Sequence, residues 1–93
     1  MSQQSRKEKI VIAEDQHEIS AMIALTLRME GYDVVEAVDG AKALEAVRAH
    51  HPDLVLLDVM MPYLSGYEVA RELQDDPRTV SIPLIFVTAK HEM

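Results

Sequence analysis

Ninety-three residues suit one domain near the lower end of the usual size range. A hydrophobic share of 48% and a charged share of 27% are ordinary for a soluble globular chain, and the lack of cysteine excludes disulfides, thiolate zinc sites and thiol catalysis. The net charge of -7 argues against a direct grip on nucleic acid, no apolar stretch approaches membrane-spanning length, and Met1 to Lys9 lacks a secretory apolar segment, so the cytoplasm is the expected compartment.

Residues 1–8 read as a flexible polar leader. Ile10-Val11-Ile12-Ala13 then predicts a strand over 9–13 that runs into Glu14-Asp15. Residues 16–30 read as a helix with Ile19, Met22, Ile23, Thr26 and Leu27 at three-four spacing, stopped by Gly31. Tyr32 to Ala37 predicts a second strand, and its Glu36 suits a sheet edge. Asp39 is a good N-cap for a helix over 40–50 that carries Ala41, Leu44 and Val47 inward.

Pro52-Asp53 turns the chain into Leu54-Val55-Leu56-Leu57, an apolar run that reads as a strand buried on both faces and delivers Asp58 at its carboxyl edge. A loop from Met61 to Ser65 leads to a short helix around 66–75 with Val69, Ala70 and Leu73 inward, broken by Asp75-Asp76-Pro77. Pro83 opens the strand Leu84-Ile85-Phe86-Val87, which runs into Thr88-Ala89.

Strands alternating with amphipathic helices predict an α/β chain of order βαβαβαβ around a parallel sheet. In such sheets ligands collect outside the carboxyl ends of the strands. Glu14-Asp15, Asp58 and Thr88 all stand at such ends. Three carboxylates and a hydroxyl in one crevice suit a hard divalent cation and a phosphoryl group. Singly, each residue has a plainer role: Asp15 with Glu18 reads as a capping pair, Asp58 as a loop acid, and Thr88 as a β-branched strand residue.

Taken together, Glu14-Asp15 after the first strand, Leu56-Leu57-Asp58-Val59-Met60-Met61-Pro62 with Gly66 beyond it, and Val87-Thr88-Ala89 after the fourth resemble the receiver domain of bacterial two-component response regulators. The resemblance runs from about Lys9 to the end of the chain. It implies a flavodoxin-like, doubly wound parallel sheet whose order here is 2-1-3-4, with residues 9–93 forming an incomplete receiver domain. It also implies that Asp58 accepts a phosphoryl group from a sensor histidine kinase or a phosphotransfer protein, with Mg²⁺ as cofactor. By the same resemblance Asp15, Asp58 and the Met60 backbone carbonyl are metal ligands, Glu14 acts through a metal-bound water, and Thr88 is the switch hydroxyl. On this reading the chain is a signalling domain rather than an enzyme.

Some positions depart from the family pattern. Glu14 is longer than the aspartate often found there. The expected further helix, fifth strand and final helix, with a phosphate-pairing lysine and a reporter aromatic, have no match, and Lys90 stands too close to Thr88 to be that lysine. The rival is therefore a receiver-like interaction module that no longer completes phosphotransfer. A haloacid-dehalogenase-like phosphatase needs an acid where Met60 stands, and a nucleotide- or flavin-binding fold needs a Gly- or Ser/Thr-rich loop where Glu14-Asp15-Gln16-His17 stands. His17 reads as an exposed helix histidine, and His50-His51 as a helix C-terminus. Because the fourth strand is apolar on both faces, the 93-residue chain is expected to be poorly stable or to associate through fourth-strand edges or exchanged elements.

Overall fold

The computed structural model describes residues 7–87. The elements are β1 (Lys9–Ala13), α1 (His17–Met29), β2 (Asp33–Ala37), α2 (Gly40–His50), β3 (Leu54–Asp58), α3 (Gly66–Gln74) and β4 (Leu84–Val87). The strands are parallel and lie in the order β2-β1-β3-β4, as the alternation of apolar runs and amphipathic helices predicts. The leader through residue 6, Thr88 and Lys90 lie outside the described residues.

Strand alternation divides the sheet into two faces. One carries Val11, Ala13, Ala37, Val55 and Leu57, which pack with Ala43 and Val47 of α2 and with Val69, Ala70 and Leu73 of α3. Full burial of a side chain such as Leu57 or Leu73 contributes roughly 1.5–3 kcal/mol, so this layer is the main source of stability. The opposite face carries Ile10, Ile12 and Val34 beneath Ala24 of α1, with Ile23, Leu27, Leu54 and Leu56 at its border. The two faces of β3 therefore differ. Val55 and Leu57 are sealed, whereas Leu54 and Leu56 are half-buried, so the expectation of burial on both faces holds for one face only.

The helix faces also differ from their sequence reading. In α1 the buried residues are Ser20 and Ala24, while Met22 and Thr26 point outward. Small side chains let the helix close on the sheet, and the larger Ile23 and Leu27 flank the contact. Ser20 Oγ donates to Glu36 Oε1 at 2.7 Å and Arg28 Nη2 donates to the Val34 carbonyl at 2.9 Å, pinning α1 to the edge strand β2. The predicted span 16–30 contracts because Gln16 and Glu30 are the caps. In α2, Ala43 rather than Ala41 enters the core beside Val47, and Ala41 is exposed.

Terminal signals match the chain closely. Gly31 adopts φ +98°, a left-handed conformation that ends α1 without a Cβ clash. Asp39 Oδ1 accepts from the Lys42 N–H at 2.8 Å, the expected N-cap of α2, and His51 closes that helix at φ 47°. After α3, Asp76 accepts from the Arg78 backbone N–H at 2.9 Å and from Arg78 Nη2 at 2.9 Å. The Arg78 guanidinium first, and then its N–H, hold the Asp76 carboxyl at about 2. Thr79 is buried and donates to the Leu73 carbonyl at 2.7 Å, finishing the turn into β4.

Candidate functional site

The site forms at the carboxyl ends of β1 and β3. Ala13 is the register partner of Leu57, so the next residue on each strand, Glu14 and Asp58, stands at the same edge. Glu14 donates its N–H to the Ala37 carbonyl at 3.1 Å, which fastens it to the end of β2. Its Oε2 accepts from the Gln16 N–H at 2.9 Å, turning the chain into α1. Asp15 is half-buried beside it. The N-cap of α1 is Gln16, which makes no side-chain cap, so Asp15 does not occupy the capping position.

Asp58 ends β3 and is 0% exposed; Glu14 is 2% exposed. The Met60 N–H donates to Asp58 Oδ1 at 3.2 Å, fixing the rotation of the carboxylate. Glu14, Asp15 and Asp58 each offer an oxygen, and these atoms all lie within 4.8 Å of one another. Three carboxylates this close repel one another strongly in a partly buried setting. An all-oxygen donor set of this charge fits a hard divalent cation such as Mg²⁺, which needs only one or two carboxylates and keeps several waters.

The loop from Val59 to Ser65 forms one wall of the site. It is cinched at its base, where the Gly66 N–H donates to the Val59 carbonyl at 3.0 Å. Met61 is buried and anchors the loop in the core, whereas Met60 is exposed. Ser65 and Glu68 form a reciprocal capping box: Glu68 N–H to Ser65 Oγ is 3.3 Å and Ser65 N–H to Glu68 Oε1 is 2.8 Å. Its signal, Ser65 with Glu68 three residues later, stands openly in the sequence. β4 forms the far wall, with Val87 as the register partner of Asp58. Thr88 follows Val87 in sequence and lies outside the described residues.

Comparison with known proteins decides the family. A family model described as "Response regulator receiver domain" matches residues 10–93. The chain belongs to this family. It is similar to the phosphate regulon transcriptional regulatory protein PhoB of Pseudomonas aeruginosa, 46% identical over 83 residues, covering 89% of this chain and 36% of that protein. Among solved structures it is similar to the N-terminal domain of a response regulator receiver protein from Methanoculleus marisnigri, with TM-score 0.85, 36% identity, and coverage of 91% of this chain and 69% of that one. It is also similar to the receiver domain of a Pseudomonas aeruginosa sensor histidine kinase that has magnesium coordinated in its active-site cleft, with TM-score 0.85, 29% identity, and coverage of 91% and 70%.

The receiver domain thus has the flavodoxin-like parallel sheet its sequence predicts, and it is a signal-transduction module of two-component response regulators. It spans about a third of the length of the curated relatives it matches. Among the described residues, no helix is long and apolar enough to cross a membrane.

Proposed function

We propose that Asp58 accepts a phosphoryl group from a phosphohistidine on a sensor histidine kinase or phosphotransfer protein in the cytoplasm. The observation that carries this reading is the convergence of Glu14, Asp15 and Asp58 within 4.8 Å at the carboxyl edge of the sheet. An oxygen of Asp58 attacks phosphorus as the P–N bond to the donor imidazole breaks. The bonding electron pair leaves on the imidazole nitrogen, which takes up a proton, and an acyl phosphate remains on Asp58. The Met60 N–H holds Oδ1 and thereby orients the carboxylate for attack.

Asp15, Asp58 and the Met60 carbonyl would hold Mg²⁺, and Glu14 would act through a metal-bound water. The cation, when bound, offsets the repulsion between an anionic donor and this acidic pocket. Burial of Asp58 and Glu14 lowers the local dielectric and raises the need for that neutralisation. By the family resemblance Thr88 would supply a hydroxyl to the phosphoryl group after transfer, and contacts present only in the phosphorylated state would drive a population shift. The net charge of -7 supports a protein rather than a nucleic acid as the direct partner.

Intact mass after incubation with acetyl phosphate tests the proposal. The receiver should gain one phosphoryl group with Mg²⁺, gain none with EDTA, and gain none in Asp58→Asn. Equal uptake by Asp58→Asn would overturn the assignment.

A further inference from the structure

Tyr67 and Phe86 join the two elements that border Asp58. Tyr67 lies in the first turn of α3, directly after Gly66, which the Val59 carbonyl and the close approach of the Asp58 backbone hold at the tip of β3. Phe86 lies on β4 as the register partner of Leu57, one residue before Val87, the partner of Asp58. The two rings meet with centroids 5.1 Å apart and planes inclined by 59°, a favourable tilted pair. Both rings are exposed, Tyr67 to 63%, so the contact adds little to the core. Its place matters more than its area. Among the described residues β4 has β3 as its one strand neighbour, and Leu84 packs against the core near its amino end. Near its carboxyl end the Phe86 ring reaches α3.

We infer that Tyr67 and Phe86 are positioning residues for phosphoryl transfer to Asp58, acting through their ring contact, an inference that rests on the proposed role of Asp58. In transfer from acetyl phosphate an Asp58 oxygen bonds to phosphorus as the P–O bond to acetate breaks, and acetate leaves with the electron pair. The incoming group has to fit between the loop after Asp58, which α3 anchors, and the chain leaving β4 after Val87. A misplacement of about 1 Å at a reacting centre is costly in rate. The ring contact sets the spacing of these two borders, because one ring stands on each. The residues assigned to Mg²⁺ lie elsewhere, at the ends of β1 and β3. The contact therefore governs where the phosphoryl group is received and leaves the hold on the cation unchanged.

The test measures two quantities in each variant: the maximal rate of phosphoryl uptake from acetyl phosphate at saturating Mg²⁺, and Mg²⁺ affinity by calorimetry. Tyr67→Leu and Phe86→Leu keep apolar bulk at exposed positions, so the fold should survive, but each removes one ring. Each should lower the maximal rate about fivefold, and the double variant should lie within about twofold of either single one, because both act through one contact. Tyr67→Phe keeps the ring and should stay within about twofold of wild type. Mg²⁺ affinity should change by less than about twofold in all four. Unchanged rates in the single variants overturn the inference. So does a Mg²⁺ affinity that falls in step with the rate, since a merely structural loosening of the site would lower both. Effects that multiply in the double variant would show that the rings act separately, which also overturns it. A wild-type receiver that takes up no phosphoryl group at all would instead overturn the proposed role of Asp58, and this inference with it.

Discussion

Gly66 lies so close to Asp58 that a Cβ on the glycine would collide with the Asp58 backbone carbonyl oxygen. The obstructing atom belongs to the backbone of the strand that carries the acid, so it cannot swing aside as a flexible side chain would. Gly66 also opens α3 and donates to Val59, which makes it the point where helix, loop and site meet. Gly66→Ala should therefore shift the end of β3, destabilise the domain by about 1–3 kcal/mol, and slow phosphoryl uptake from acetyl phosphate. Urea unfolding and uptake kinetics check both effects, and wild-type values for the two would contradict this account of the loop.

What the sequence makes legible follows from the physics of each signal. Apolar runs ending at Ala13, Leu57 and Val87 locate the strand tips, because parallel strands are buried and all their carboxyl ends share one edge. The helix faces are less readable. Ser20 and Ala24 seat α1 because they are small, whereas a hydrophobicity pattern favours the larger Met22, which is exposed. Gly66 stands in the motif beyond Asp58, but the reason it must be glycine, its close approach to the Asp58 backbone, is visible only in the folded chain.

The acidic cluster predicts a trade between stability and cation binding. Asp15→Asn removes one of three mutually repelling carboxylates, so without divalent cations it should stabilise the domain by ~1–3 kcal/mol. Wild type should gain stability as Mg²⁺ is added, and Asp15→Asn should gain much less. Thermal melting with and without Mg²⁺ measures this. A Mg²⁺ shift equal in the two proteins would remove Asp15 from the ligand set.

The Asp76–Arg78 contact predicts a pH dependence. The Asp76 carboxyl lies at about 2 in the folded domain against an ordinary 3.8, so the unfolded chain binds its proton first as pH falls. The stability from this contact is complete above about pH 4 and is lost between there and pH 2. Asp76→Asn should therefore lose less stability than wild type between pH 6 and pH 3. Urea midpoints at the two pH values test it; identical losses would show that the contact carries no linkage.

Ile85 and Phe86 of β4 are 49% and 44% exposed, and among the described residues β3 is the only strand that pairs with β4. An open apolar edge is a template for another chain. The 93-residue chain should sediment as a dimer or larger species at micromolar concentration, and Ile85→Lys should shift it toward monomer. A wild-type monomer that persists at every concentration would contradict association through this strand.

If Asp58 is the nucleophile, the acyl phosphate itself can be located on it. Borohydride reduces an aspartyl phosphate to homoserine, which leaves a permanent mark at the modified residue. After acetyl phosphate and Mg²⁺, tandem mass spectrometry of the reduced receiver should find homoserine at position 58 and nowhere else. Homoserine at position 15, or at no position despite phosphoryl uptake, would contradict the assignment.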